Sequence, residues 1–202
     1  MERREAYTIT YAILGMLARW GPMTGYDLKR WFDQGVGQIW PAAYGQIYKE
    51  LNRLQELGWA QMEREEQESR PDRKVYRITP AGREALAAWL GERAEPPQWR
   101  DELLLKLIFG AFAAPGTLAE TLHAAIADHE QRLRRYQEEL RTHGDPTQPE
   151  IWQQPLSPEN PTDPYIGLTA RLGVAFEEMY LRWLHETCEL LAPGDRHVPA
   201  DE

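Results

Sequence analysis

Residues 42–58 constrain the fold more than any other stretch, because they predict one amphipathic helix whose two faces differ in chemistry. Apolar residues recur at positions i, i+4 and i+7, as on the buried stripe of an α-helix: Ile47, Leu51 and Leu54. Gly58 follows as a typical helix terminator. The opposite face carries amides, a phenol and two cations: Gly45, Gln46, Tyr48, Lys49, Asn52 and Arg53.

This polar face has the chemistry that proteins use to read DNA. Gln and Asn bond the adenine edge, Arg and Lys bond guanine or phosphate, and Tyr bonds phosphate. A solvated helix face of no special function also carries hydrogen-bond donors, so the sequence on either side of the helix decides between these interpretations.

Two shorter helices are predicted before this one. Residues 7–20 are amphipathic and end at Gly21-Pro22, and the capping-box pair Thr24 and Asp27 begins the second helix. Pro41 and two glycines then turn the chain before residue 42. Three helices, the last with an exposed polar face, predict a helix-turn-helix arrangement.

After Gly58 the period changes from 3.6 to 2, which predicts a β-hairpin with a polar tip at residues 66–73. A hairpin beside such a helix is typical of the wing of a winged helix. Cations near the tip could reach phosphate or the minor groove: Arg70, Arg73 and Lys74. A solvated charged turn is the alternative, since the first strand is rich in glutamate. Thr79 and Pro80 then predict the start of a fourth helix.

At this point the sequence resembles the PadR family of bacterial transcriptional regulators over residues 7–91. The resemblance lies in YAILGMLARWGPMTGYDLKRWF, QIYKELNRLQELGWA and RKVYRITPAGREALAAWL. It implies a homodimeric repressor whose third helix enters the major groove while the wing touches the backbone. The residues it implicates are Tyr44, Gln46, Tyr48, Lys49, Arg53, Arg70, Arg73 and Lys74, to which the polar face adds Asn52. Many relatives have proline where this chain has Lys49, so the resemblance does not transfer an operator preference.

The second half of the chain predicts long helices, which fit the longer branch of the same family. Residues 99–112 are apolar on nearly every side, 118–143 carry apolar residues at steps of three and four, and 165–191 do the same. Residues 145–164 contain six prolines and are expected to be irregular. The predicted fold is therefore mainly α: a winged helix-turn-helix domain (1–91), a linker (92–98), a coiled-coil-like helical dimerisation domain (99–192) and a tail (193–202).

These helices are longer than one small domain needs, so a dimer is the economical way to cover their apolar faces. A symmetric dimer would bind a pseudo-palindromic operator, with recognition helices about 34–36 Å apart. A monomer in which the two long helices cover each other is the alternative.

Charge and composition limit the remaining possibilities. The chain has a net charge of −9, but residues 1–91 hold 13 Lys and Arg against 12 Asp and Glu, and residues 92–202 hold 10 against 20. We expect repulsion of the acidic half to turn the first half toward DNA. A single cysteine excludes an internal disulfide, and the absence of a signal peptide or long apolar run predicts a cytoplasmic protein.

No enzyme motif, cofactor site or metal site is predicted; His185, Cys188 and Glu189 lack a further ligand pair. Four aromatic residues could line a pocket for an aromatic small-molecule effector, although core packing is the plainer role: Trp99, Phe176, Tyr180 and Trp183. The sequence thus favours a repressor released by such an effector. The alternative is a helical interaction module whose winged helix binds protein.

Overall fold

The computed structural model describes residues 2–66, 72–97, 99–157 and 159–191. It divides into two compact units, Met1–Glu95 and Pro96–Glu202, at a point within the predicted linker. The mainly α fold class is confirmed, with a winged helix in the first unit and a helical second unit. The elements of the first unit are α1 (Glu2–Trp20), β1 (Met23–Thr24), α2 (Gly25–Gln34), a 3-10 turn (Val36–Gln38), α3 (Tyr44–Glu56), β2 (Ala60–Glu65), β3 (Arg73–Ile78) and α4 (Pro80–Leu90).

The sheet is antiparallel and has the order β1-β3-β2. Its hairpin, β2 with β3, is the predicted wing. Strand β1 was not predicted, because two residues are too short to show an alternating pattern. Thr79 joins the hairpin to α4: its hydroxyl donates to the Gly58 carbonyl at 2.7 Å and accepts from the Gly82 amide at 3.1 Å.

The core of the first unit lies between α1, α2 and α3. The predicted stripe of α3 is buried there against apolar residues of the two earlier helices: Ile13, Leu14, Leu17, Leu28, Phe32, Ile47, Leu51 and Leu54. Helix α4 packs on α1, where the rings of Tyr11 and Trp89 stack with centroids 4.9 Å apart. The core therefore fixes which face of α3 points away from it.

The second unit consists of α5 (Glu102–Ile108), a 3-10 turn (Gly110–Phe112), α6 (Thr117–His143), a 3-10 turn (Pro149–Gln153) and α7 (Pro164–Leu191). The apolar segment 99–112 was expected to form one helix, but it begins at the cap Asp101 and breaks at Phe109. Most of its large apolar side chains are exposed: Leu105, Ile108, Phe109 and Phe112. The proline-rich stretch that follows α6 is held in part by its own hydrogen bonds, such as Trp152 Nε1 to the Pro146 carbonyl at 2.8 Å.

Helices α6 and α7 form the main packing of the second unit. The face of α7 that packs on α6 is lined partly by small residues, and an added Cβ at Gly173 would meet the ring of Tyr136 at 2.5 Å. Of the stripe of residues that the sequence predicts along α7, Phe176, Trp183 and Thr187 are half-buried. The other five are exposed in the single chain: Tyr165, Leu168, Leu172, Met179 and Leu190. This exposed row is called the α7 stripe below.

Candidate nucleic-acid interface

Helix α3 exposes the face that the sequence predicts for DNA contact. Tyr44, Gly45, Lys49, Asn52 and Arg53 are exposed, whereas Gln46 and Tyr48 are half-buried. The buried face holds the apolar stripe together with one carboxylate, Glu50. The exposed part of the helix thus combines a phenol, an amide and two cations, with one exposed acid, Glu56, at its C-terminal end.

Two tyrosines stand side by side on the first turns of α3. Their rings lie 4.7 Å apart, and the hydroxyl of Tyr44 donates to that of Tyr48 at 3.0 Å. Tyr48 also packs on the start of α2, where an added Cβ at Gly25 would meet its ring at 2.5 Å. Burial, followed by the neighbouring Tyr44 hydroxyl, raises the pKa of Tyr48 to about 12. A tyrosine is a neutral phenol at physiological pH with or without this shift, and a neutral phenol can donate a hydrogen bond to phosphate.

Arg53 is tied to the interior of the first unit. Its Nη1 lies 3.6 Å from Oε2 of Glu50, a side chain only 1% exposed, while the Arg53 side chain is 43% exposed. The same Glu50 oxygen accepts a 2.6 Å hydrogen bond from the Thr10 hydroxyl on α1. A buried carboxylate requires such partners, so Arg53 is a structural counter-charge as well as a predicted DNA contact.

The wing carries further cations, most of them close to an acid. Arg73 lies 3.5 Å from Asp27, Arg77 lies 3.7 Å from Glu63, and Arg64 lies 3.9 Å from Asp72. Arg70, which was predicted at the tip, falls outside the described residues.

Lys49 and Lys74, two of the predicted DNA contacts, differ from these arginines in having no acidic neighbour within the described ranges. Both lysines are exposed, and no described carboxylate lies within 4 Å of either. Among the described cations of α3 and the wing, these two lysines could bind phosphate without leaving an ion pair to another described residue.

The structure brings the four predicted effector residues together in the second unit. The Trp99 ring lies 5.3 Å from that of Phe176 and 6.5 Å from that of Tyr180, which in turn lies 5.1 Å from that of Trp183. We call these four the aromatic cluster. Two surface depressions, of about 360 and 460 Å³, occur elsewhere, and none of the four residues lines either of them.

Polar groups that sequence reasoning did not assign to this cluster surround Tyr180. Its hydroxyl donates to Asp101, and burial, followed by this bond, raises the pKa of Tyr180 well above its usual range. Its ring stacks on His129 at 4.2 Å, and His129 Nδ1 lies 2.5 Å from Glu177. Arg132 approaches Glu177 from the other side at 3.6 Å. His129 interrupted the apolar stripe of α6 in the sequence, but its partners on α7 could be found only in three dimensions.

The described part of the chain has neither a cluster of metal ligands nor a membrane-spanning helix. It contains no group of three or more His, Cys, Asp or Glu side chains placed to hold a metal ion. It also contains no helix of the length and apolarity that a membrane span needs.

Comparison with known proteins agrees with this geometry. Residues 13–88 match the transcriptional regulator PadR-like family, and residues 99–192 match the virulence activator alpha C-terminal family. A probable transcriptional regulator of Mycobacterium tuberculosis, Rv1176c, is 30% identical over 180 residues, which cover 83% of this chain and 89% of that protein. The negative transcriptional regulator PadR of Bacillus subtilis is 35% identical over 102 residues, 50% of this chain and 56% of the relative.

Solved structures extend the similarity over most of the chain. B. subtilis PadR in complex with operator DNA matches with a TM-score of 0.75 at 25% identity, covering 91% of this chain and 97% of that one. The same protein in complex with p-coumaric acid matches with a TM-score of 0.64 at 24% identity, over 92% and 96% of the two chains, and adds only the shared fold. Proteins of this family are regulators rather than enzymes. The chain belongs to the PadR-like family of transcriptional regulators.

Proposed function

We propose that this regulator is a cytoplasmic homodimeric repressor that binds a pseudo-palindromic operator through α3 and the wing. The observation that carries the proposal is the exposed face of α3, where phenol, amide and cationic groups stand together above a fully packed apolar stripe. Amides and cations of this kind read base edges and phosphates. The family relationship supports DNA as the partner, since B. subtilis PadR has been crystallised with operator DNA.

Repression would follow from occlusion of the promoter. The name of the B. subtilis relative, a negative regulator, supports this sign, while the second matched family is named for a virulence activator. A reporter fused to the promoter of the chain's own gene separates the two outcomes. Repression predicts higher reporter output when the chain is deleted, and activation predicts lower output.

The homodimer is proposed from the α7 stripe and the exposed apolar residues of α5. A row of large apolar side chains at steps of three, four, seven and eleven lies along one face of a helix, and exposed rows of this kind mark interfaces. In a symmetric dimer both copies would use the same row.

The effector is proposed to be a flat aromatic acid or phenol that enters the aromatic cluster. Such a ligand would stack between rings that now contact one another and would replace the bond between Tyr180 and Asp101. Its binding would release the operator by changing the distance between the two winged-helix units of the dimer.

The DNA-binding proposal is tested on DNA from upstream of the chain's own gene, titrated with salt. Lys49→Ala combined with Lys74→Ala removes two cations that have no carboxylate of the described residues within 4 Å. We expect weaker operator binding and a log–log salt slope smaller by about two units, since each phosphate contact contributes about 0.9. Arg134→Ala with Arg135→Ala on α6 is the matched control, with the same charge change in the second unit.

Operator-selective binding by the native chain, reduced in the α3 and wing variant alone, is the expected result. Native binding no tighter than to random DNA, unaffected by the two lysines, would favour the protein-interaction module. The near-balance of cations and acids in residues 1–91 fits that alternative.

A further inference from the structure

Asp27 lies where three elements of the winged-helix unit meet. Its Oδ2 accepts from the backbone amide of Thr24 at 3.2 Å and from the Thr24 hydroxyl at 2.7 Å, which closes the capping box at the start of α2. The same oxygen lies 3.5 Å from Nη2 of Arg73, the first residue of β3. One carboxylate oxygen thus serves both as a helix cap and as the partner of a wing cation.

The sheet register explains this meeting. Thr24 pairs with Val75 in the antiparallel ladder of β1 and β3. Arg73 precedes Val75 by two residues, so it passes the end of β1 and reaches the first turn of α2, where Asp27 is the third residue. The contact is a consequence of the fold rather than of a flexible side chain alone.

The pair remains open to solvent, with the Asp27 side chain 26% exposed and that of Arg73 48% exposed. Exposed ion pairs are weak, so a phosphate can displace this one. The adjacent wing cation, Lys74, has no described carboxylate within 4 Å. Arg73 therefore has a nearby carboxylate, whereas its neighbour Lys74 has none among the described residues.

We propose that Asp27 competes with DNA phosphate for Arg73 and thereby lowers the affinity of the winged-helix unit for DNA. This inference rests on the proposed function. On binding, the Arg73 guanidinium exchanges the Asp27 carboxylate for a phosphate oxygen, and the released carboxylate stays close to the DNA backbone as an uncompensated negative charge. Both effects reduce the gain from the new contact.

Asp27→Asn tests the inference, because the amide oxygen can still accept from Thr24 while the charge is lost. We expect operator binding about three- to tenfold tighter at low salt and a salt slope steeper by about one unit. Arg73→Gln in the native background should weaken binding, because it removes the phosphate contact and leaves the Asp27 charge near the DNA. In the Arg73→Gln background, Asp27→Asn should give a smaller gain than in the native background, because it then relieves only the charge repulsion. All affinities are measured well below the melting temperature of each variant.

Two controls isolate the mechanism. Asp27→Glu keeps both the charge and a residue suited to the capping box, so it should bind like the native chain. Glu130→Gln removes the partner of Arg134, 3.6 Å away on α6, and should leave DNA affinity unchanged. Unchanged or weaker binding by Asp27→Asn, or an equal gain from it in the native and Arg73→Gln backgrounds, would overturn the inference. A native chain without operator selectivity would instead overturn the proposed function, and the four affinities would then be compared on random duplex DNA.

Discussion

Arg53 lies on the side of α3 that we propose faces DNA, and its guanidinium also lies 3.6 Å from the buried carboxylate of Glu50. Arg53→Ala should therefore destabilise the winged-helix unit by about 1–3 kcal/mol, because it leaves a desolvated carboxylate without its counter-charge. Urea unfolding measures this cost. Weaker DNA binding by this variant could result either from the lost contact or from the lower stability of the winged-helix unit. Substitutions of Lys49 and Lys74 therefore test the DNA contact more directly.

Arg64→Ala is the control for Arg53→Ala, because it also removes an arginine of the winged-helix unit. Arg64 lies 3.9 Å from Asp72, and both side chains are largely exposed, so its removal should change the free energy of unfolding by no more than about 0.5 kcal/mol. Adding Glu50→Gln to Arg53→Ala should recover part of the lost stability, since a neutral amide needs no counter-charge. Equal effects of Arg53→Ala and Arg64→Ala would contradict a structural role for Arg53.

Hydrophobic periodicity predicted helices α3 and α6 well, because large apolar residues line their buried faces. On α7 it identified a row that lies partly in solvent in the single chain. The buried face of α7 combines the small Gly173, which lets Tyr136 of α6 approach closely, with the large Tyr180, Leu181 and Leu184. The period of large side chains alone does not say which of these two rows is buried within the chain. The residue types on α3 predicted its polar face, but the partners of Arg53 and Arg73 come from other parts of the fold, and no spacing rule reports them.

In the aromatic cluster, Trp99 of the segment before α5 lies beside Phe176 and Tyr180 of α7, and this cluster is the proposed effector site. Titration with p-coumaric acid and related aromatic acids should raise the melting temperature and release labelled operator DNA. Trp99→Leu should weaken both responses about two- to tenfold, because it removes one stacking ring. Trp152→Leu, on a partly exposed tryptophan outside the cluster, is the control. A panel of such acids that changes neither quantity would contradict the effector proposal.

For the whole molecule, the α7 stripe decides between the dimer and the monomer. Leu172 is 72% exposed in the single chain. If the stripe is buried between two copies, a charged side chain at position 172 would lose its hydration and destabilise the dimer. Leu172→Glu should convert a dimer to a monomer in sedimentation equilibrium while leaving the far-ultraviolet circular dichroism spectrum unchanged. His185→Glu places the same charge on an exposed position of α7 away from the stripe and should leave the dimer intact.

Leu172→Glu also tests whether operator binding depends on the dimer. A monomer presents one recognition helix where a dimer presents two, so Leu172→Glu should lose affinity for a two-half-site operator far more than for an isolated half-site. A native chain that sediments as a monomer, or a Leu172→Glu chain that remains a dimer, would contradict the use of this stripe. Equal loss on both DNAs would instead indicate that the substitution acts on the winged-helix unit rather than through assembly.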